Sequence, residues 1–105
     1  MTAIAPPEQP TPRADTVLRL LVRNHPGAMS HICGLFARRA FNVEGIICLP
    51  MAGAARSLIL LEVAAEGRID QVLHQLEKLN DVLEVRIAPE GAGVLARVAD
   101  ILRGC

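Results

Sequence analysis

The stretch Arg23–Pro50, RNHPGAMSHICGLFARRAFNVEGIICLP, decides how this chain folds. Asn24-His25-Pro26-Gly27 is a turn: Pro26 fixes its own φ and holds His25 extended, and Gly27 permits close backbone approach. Met29, Ile32, Cys33, Phe36 and Ala40 then recur at helical spacing, with Leu35 widening the stripe, so a helix over Ala28–Ala40 buries one face. Asn42 breaks that helix, and Val43–Leu49 reads as a strand ended by Pro50. A helix that starts in a tight turn leaves backbone N–H groups unpaired and aimed at one spot, where a small anion such as a carboxylate is held. Ligand binding, rather than catalysis, is the first expectation.

The segments on either side complete the pattern. Leu18, Leu20 and Val22 alternate with Arg19, Leu21 and Arg23, which makes Val17–Arg23 a strand. Met51–Ala55 is a flexible connection, and Leu58–Val63 is a strand apolar enough to expect burial on both faces. After Gly67, the residues Ile69, Val72, Leu73, Leu76 and Leu79 follow a helical period that Lys78 and Asn80 close. Leu83, Val85 and Ile87 alternate with Glu84 and Arg86 as a fourth strand. The predicted order β-α-β-β-α-β is an α+β, ferredoxin-like domain, a four-stranded antiparallel sheet with two helices on one face. Residues 16–89 carry it. Residues 1–15 hold four prolines and no continuous apolar core, so they read as a disordered arm rather than a secretory signal. Residues 90–105 form a C-terminal tail in which Val94, Leu95, Val98, Ile101 and Leu102 share one helical face, apolar enough to pack on the sheet or on a partner.

Composition excludes several functions. With 105 residues the chain has room for one domain. Its two aromatic residues, Phe36 and Phe41, offer no platform for stacking nucleobases, and eleven basic against eleven acidic residues provide no field to attract nucleic acid or anionic lipid. The apolar runs fall far short of the roughly 20 residues of a membrane span. Cys33, Cys48 and Cys105 are an odd, widely spaced set that fits free thiols in the cytoplasm. No C-x-x-C loop accompanies His25, His31 and Cys33, and Cys33 has the register of helix core, so a metal site is not expected.

Two readings of the turn remain. Arg23, Gly27 and Asn42 together suit an anion grip, as in a small hydrolase of acyl phosphates, yet the stretch holds no activated nucleophile and no paired carboxylates. A site for a small amino acid uses more of what is present: N–H donors at Gly27, Ala28 and Met29, the amides of Asn24 and Asn42, and an apolar wall from Ile46, Ile47 or Met29. Plainer roles exist for the same residues. Gly27 serves turn geometry, Asn24 and Asn42 serve as helix cap and stop, Arg38 and Arg39 are a solvated pair or a docking point, and His25 and His31 are surface residues.

The run NHPGAMSHICGLFARRAFNVEGIICLP, with LEKLNDVLEV at Leu76–Val85, resembles the ACT domain of acetolactate synthase (acetohydroxyacid synthase) small subunits, most of all the short isozyme I type. The resemblance covers roughly residues 17 to 88. It implies a non-catalytic regulatory subunit that activates a catalytic large subunit and confers feedback inhibition by valine in branched-chain amino acid biosynthesis. Thiamine diphosphate, magnesium and FAD belong to that large subunit, and this chain is expected to bind none of them. The resemblance further implies a homodimer with the effector held between two chains. Asn24 and Gly27 match the turn of the valine site, flanked by Ala28 and Met29, and Asn42 matches the asparagine opening the second strand, which also bears Ile46.

Overall fold

The structure is a computed structural model, and it describes residues 16–39, 41–64 and 67–104. Seven elements follow in chain order: β1 Thr16–Arg23, α1 Ala28–Arg38, β2 Asn42–Pro50, β3 Arg56–Ala64, α2 Ile69–Glu77, β4 Val82–Ile87 and α3 Gly91–Arg103. The strands form one antiparallel sheet in the order β2-β3-β1-β4. That is the ferredoxin-like arrangement: the two strands joined by the β2–β3 hairpin pair with each other, and β1 lies between β3 and β4. β2 and β4 are the edges. Expectations for residues 1–15, Ala40 and Cys105 fall outside the described residues, and no described helix is long and apolar enough to cross a membrane.

Alternation sets the core. Leu18, Leu20 and Val22 of β1 and Ile59, Leu61 and Val63 of β3 turn one face of the sheet toward Ile32, Leu35 and Phe36 of α1 and Val72 and Leu76 of α2. Burying each such side chain fully contributes about 1.5–3 kcal/mol. Phe41 packs edge-on against Phe36, their ring centroids 6.2 Å apart, and the Arg68 guanidinium lies 4.5 Å from the Phe41 centroid.

Three details depart from the sequence reading. Cys33 is exposed, because the inward stripe of α1 is Ala28, Ile32, Leu35 and Phe36, which rotates Cys33 off the core. β3 is fully buried on one face only, with Leu58 and Leu60 half-covered on the other. In β4, Leu83 and Ile87 are both exposed: the strand is an edge, and the register of its pairing shifts between Leu21 and Val22.

A third helix lies on the opposite side of the sheet. At the start of α3, a Cβ placed on Gly91 would meet Val17 and Leu60, which point away from the helix-covered core. Ile101 and Leu102, farther along α3, are exposed.

Candidate functional site

The β1–α1 turn is tied to its surroundings on two sides. On one side is the hairpin: the Asn24 backbone N–H donates to Ala55 O at 3.1 Å, and its side-chain Nδ2 donates to Ala54 O at 2.8 Å. That bond uses one of the two N–H donors of the amide, and Oδ1 is the acceptor of the group. On the other side is Asp81, in the loop between α2 and β4. Its backbone carbonyl accepts the Arg23 N–H at 2.9 Å, its Oδ1 meets His25 Nε2, and its Oδ2 lies 3.1 Å from His31 Nδ1.

Asp81 is only 3% exposed, and each of its carboxylate oxygens meets one of these two imidazoles. The hydrogen bond from His25 holds its carboxyl below the ordinary value of 3.8; burial opposes this, and the bond from His31 adds to it. Both histidines are exposed, as the sequence reading has them, but neither is idle. Asp81 is what that reading missed. It lies 56 residues from His25 and 50 from His31, and an Asn-Asp pair after a helix reads locally as a turn.

Gly27 is the N-cap residue of α1, at φ −87 and ψ −9, a conformation open to any residue. Its Cβ position lies 3.4 Å from His25 Cε1 and 3.5 Å from His31 Cε1, so any side chain here would sit against both rings. α1 has no side-chain cap bond and no acidic residue in its first turn, which leaves the positive end of its dipole uncompensated by the helix's own side chains. The Gly27 N–H donates to His25 Nδ1 at 3.1 Å, and the Ala28 N–H donates to His25 O at 3.1 Å. Ala28 is buried, whereas Met29 is half-buried against the core.

Asn42 and Ile46 are elsewhere. Asn42 opens β2, exposed, with its Nδ2 on Glu44; Ile46 is 40% exposed on the same edge strand. The hairpin that anchors Asn24 follows the opposite end of β2, after Pro50. Eight residue steps at roughly 3.3 Å separate the ends of that strand by about 26 Å. One chain therefore cannot bring Asn24 and Asn42 to the same amino acid. Grooves of about 410 Å³ beside β4 and about 270 Å³ on the open sheet face take in neither asparagine nor Gly27. Among the described residues no set of His, Cys, Asp or Glu is placed to hold a metal ion.

Residues 18–84 match the family described as AHAS small subunit-like ACT domain. The chain is 53% identical over 78 residues to the acetolactate synthase isozyme 1 small subunit of Escherichia coli K12, an alignment covering 74% of this chain and 81% of that one. The chain belongs to the acetolactate synthase small-subunit family. Among solved structures, the small subunit of acetolactate synthase from Thermotoga maritima matches with a TM-score of 0.65 at 31% identity, over 71% of this chain and 48% of that chain. The ACT domain from GTP pyrophosphokinase of Chlorobium tepidum matches at TM-score 0.60 and 16% identity, over 71% of this chain and all of that one, a likeness of fold alone.

Proposed function

We propose that this chain is the regulatory subunit of an acetolactate synthase, itself non-catalytic, which activates a catalytic large subunit and makes it sensitive to valine. The identity to the isozyme 1 small subunit supports the subunit role, and none of the relatives named above supports hydrolysis of acyl phosphates. In this reading the chain works in the cytoplasm and carries no cofactor, thiamine diphosphate, magnesium and FAD being the large subunit's.

The observation that carries the effector site is the separation of Asn24 and Asn42 at opposite ends of an edge strand. Two copies pairing β2 to β2 in antiparallel fashion about a two-fold axis extend the sheet and remove its bare edge. The same operation brings the Asn42 end of one strand against the Pro50 end of the other, and with it the partner's Asn24–Gly27 turn. There the effector carboxylate meets the start of α1, the ammonium meets asparagine oxygens, and the aliphatic side chain lies near Ile46 and Met29. Inhibition follows if the effector-bound dimer contacts the large subunit differently, through a coupling of typically about 1–3 kcal/mol.

Calorimetric titration with valine, leucine and isoleucine, with and without the large subunit, tests the reading. It expects one bound amino acid per chain. Acetolactate formation by the isolated chain supplied with every cofactor would overturn it.

A further inference from the structure

The backbone donor best placed for the effector is already in use. Gly27 N–H donates to Nδ1 of His25. A ring nitrogen that accepts carries no proton, so in this arrangement the neutral imidazole holds its proton on Nε2, where it donates to Asp81 Oδ1. The result is a chain of three groups: amide, imidazole and a carboxylate that is almost fully buried.

We infer that His25, positioned by Asp81, competes with the effector carboxylate for the Gly27 N–H, so that effector binding at this turn takes up a proton. This rests on the effector reading given above. When His25 gains a second proton it does so on Nδ1, which becomes a donor facing another donor. The Gly27 N–H bond and the doubly protonated ring are mutually exclusive. Protonation releases the amide into the mouth of the site, and the imidazolium adds a positive charge and a further N–H beside it. Asp81 Oδ1 meets Nε2 and so keeps the other ring nitrogen turned toward the Gly27 N–H. By linkage, the effector favours the proton by the same factor that the proton favours the effector.

The other charged groups around the ring leave this assignment with His25. The His31 ring, on α1, meets the second oxygen of Asp81, whereas the Gly27 N–H is taken by His25 Nδ1; His31 reaches Gly27 only through its backbone N–H, which donates to Gly27 O at 3.0 Å. Arg23 of β1 pairs with Arg56 of β3 at the end of the sheet that leads into the turn, and an arginine side chain keeps its charge over the range in which imidazoles titrate.

The test is a titration of the assembled enzyme, large subunit included, with valine between about pH 8 and about pH 5, the range across which imidazoles change charge. Proton uptake is read from the dependence of the binding heat on the buffer's ionisation enthalpy. The wild type is expected to bind more tightly as pH falls, by up to about tenfold per unit, with uptake approaching one proton per site. His25→Ala, a change at an exposed side chain, is expected to bind more tightly than wild type at about pH 8 and to lose most of the pH dependence. His31→Ala is expected to keep that dependence, and Asp81→Ala, which removes the acceptor that orients the His25 ring, to weaken it. A wild type that binds valine equally at all pH values, or a His25→Ala chain that binds more weakly throughout, overturns the competition and leaves the effector site standing. A wild-type enzyme that binds no branched-chain amino acid at any pH overturns the effector reading itself.

Discussion

Gly91 lies so close to Val17 that a Cβ on the glycine would stand 2.7 Å from Val17 Cγ1, with Leu60 Cδ2 at 3.2 Å. The contact fixes where α3 meets the open face of the sheet, since Gly91 is its first residue and is buried. Gly91→Ala is therefore expected to push the helix off β1 and β3. Overpacking of this kind costs about 1–3 kcal/mol, against which the helix propensity of alanine restores about 1 kcal/mol at most. Urea denaturation should show a lower midpoint with little change in slope, whereas Gly93→Ala, with nothing within 4 Å of its Cβ position, should be neutral or stabilising.

Stability should depend far more on one face of β1 and β3 than on the other. Leu20 is fully buried in the central strand, and its replacement by alanine is expected to cost about 2–5 kcal/mol. Leu49, 62% exposed on the edge strand, should cost less than about 0.5 kcal/mol in the isolated chain. Thermal melts of the two variants side by side make the check.

The elements that the sequence makes plain are those with local causes. Leu18, Leu20 and Val22 announce β1 by alternation, and Ile69, Val72, Leu73 and Leu76 announce α2 by period. What stays hidden has tertiary causes. Ala28 and Cys33 are similar in size and both compatible with a helix core, so only packing against the sheet decides which faces inward. The register shift beside Leu21 alters how β4 pairs without a glycine or proline to mark it. In the candidate site, Asn24, Gly27 and Asn42 are visible because they lie within nineteen residues of one another, counting both ends. Asp81, which organises the turn, is far away in sequence, and nothing local to it signals the two histidines it holds.

Stability should fall in acid as Asp81 gains its proton. The Asp81 carboxyl is held below its ordinary value of 3.8 in the folded chain, chiefly by the hydrogen bond from His25. In the unfolded chain it binds its proton more readily, so between the two values unfolding takes up protons and stability rises with pH. That contribution is fully present above about pH 4 and disappears as pH falls through the lower, folded value. Asp81→Asn should be the less stable chain near neutrality, and the gap should narrow steadily below about pH 4. Denaturant titrations at a series of pH values would reveal it; a gap independent of pH would remove the ionised carboxylate as the cause.

Subunit mixing separates a two-chain effector site from a one-chain site. Asn24→Ala and Asn42→Ala should each abolish valine sensitivity while largely preserving activation of the large subunit. If the site takes Asn24 from one protomer and Asn42 from the other, a dimer pairing one chain of each kind holds one site with both substitutions and one with neither. Mixing the two variants in equal amounts and allowing subunits to exchange at random should then restore about one site in four. Half the dimers are mixed, and half of their sites are intact. Valine inhibition and calorimetric stoichiometry should recover together to that level. A mixture as insensitive as either parent, formed from chains shown to exchange, would place both asparagines' contributions within one chain or outside the site, and so would remove the β2–β2 arrangement as its basis.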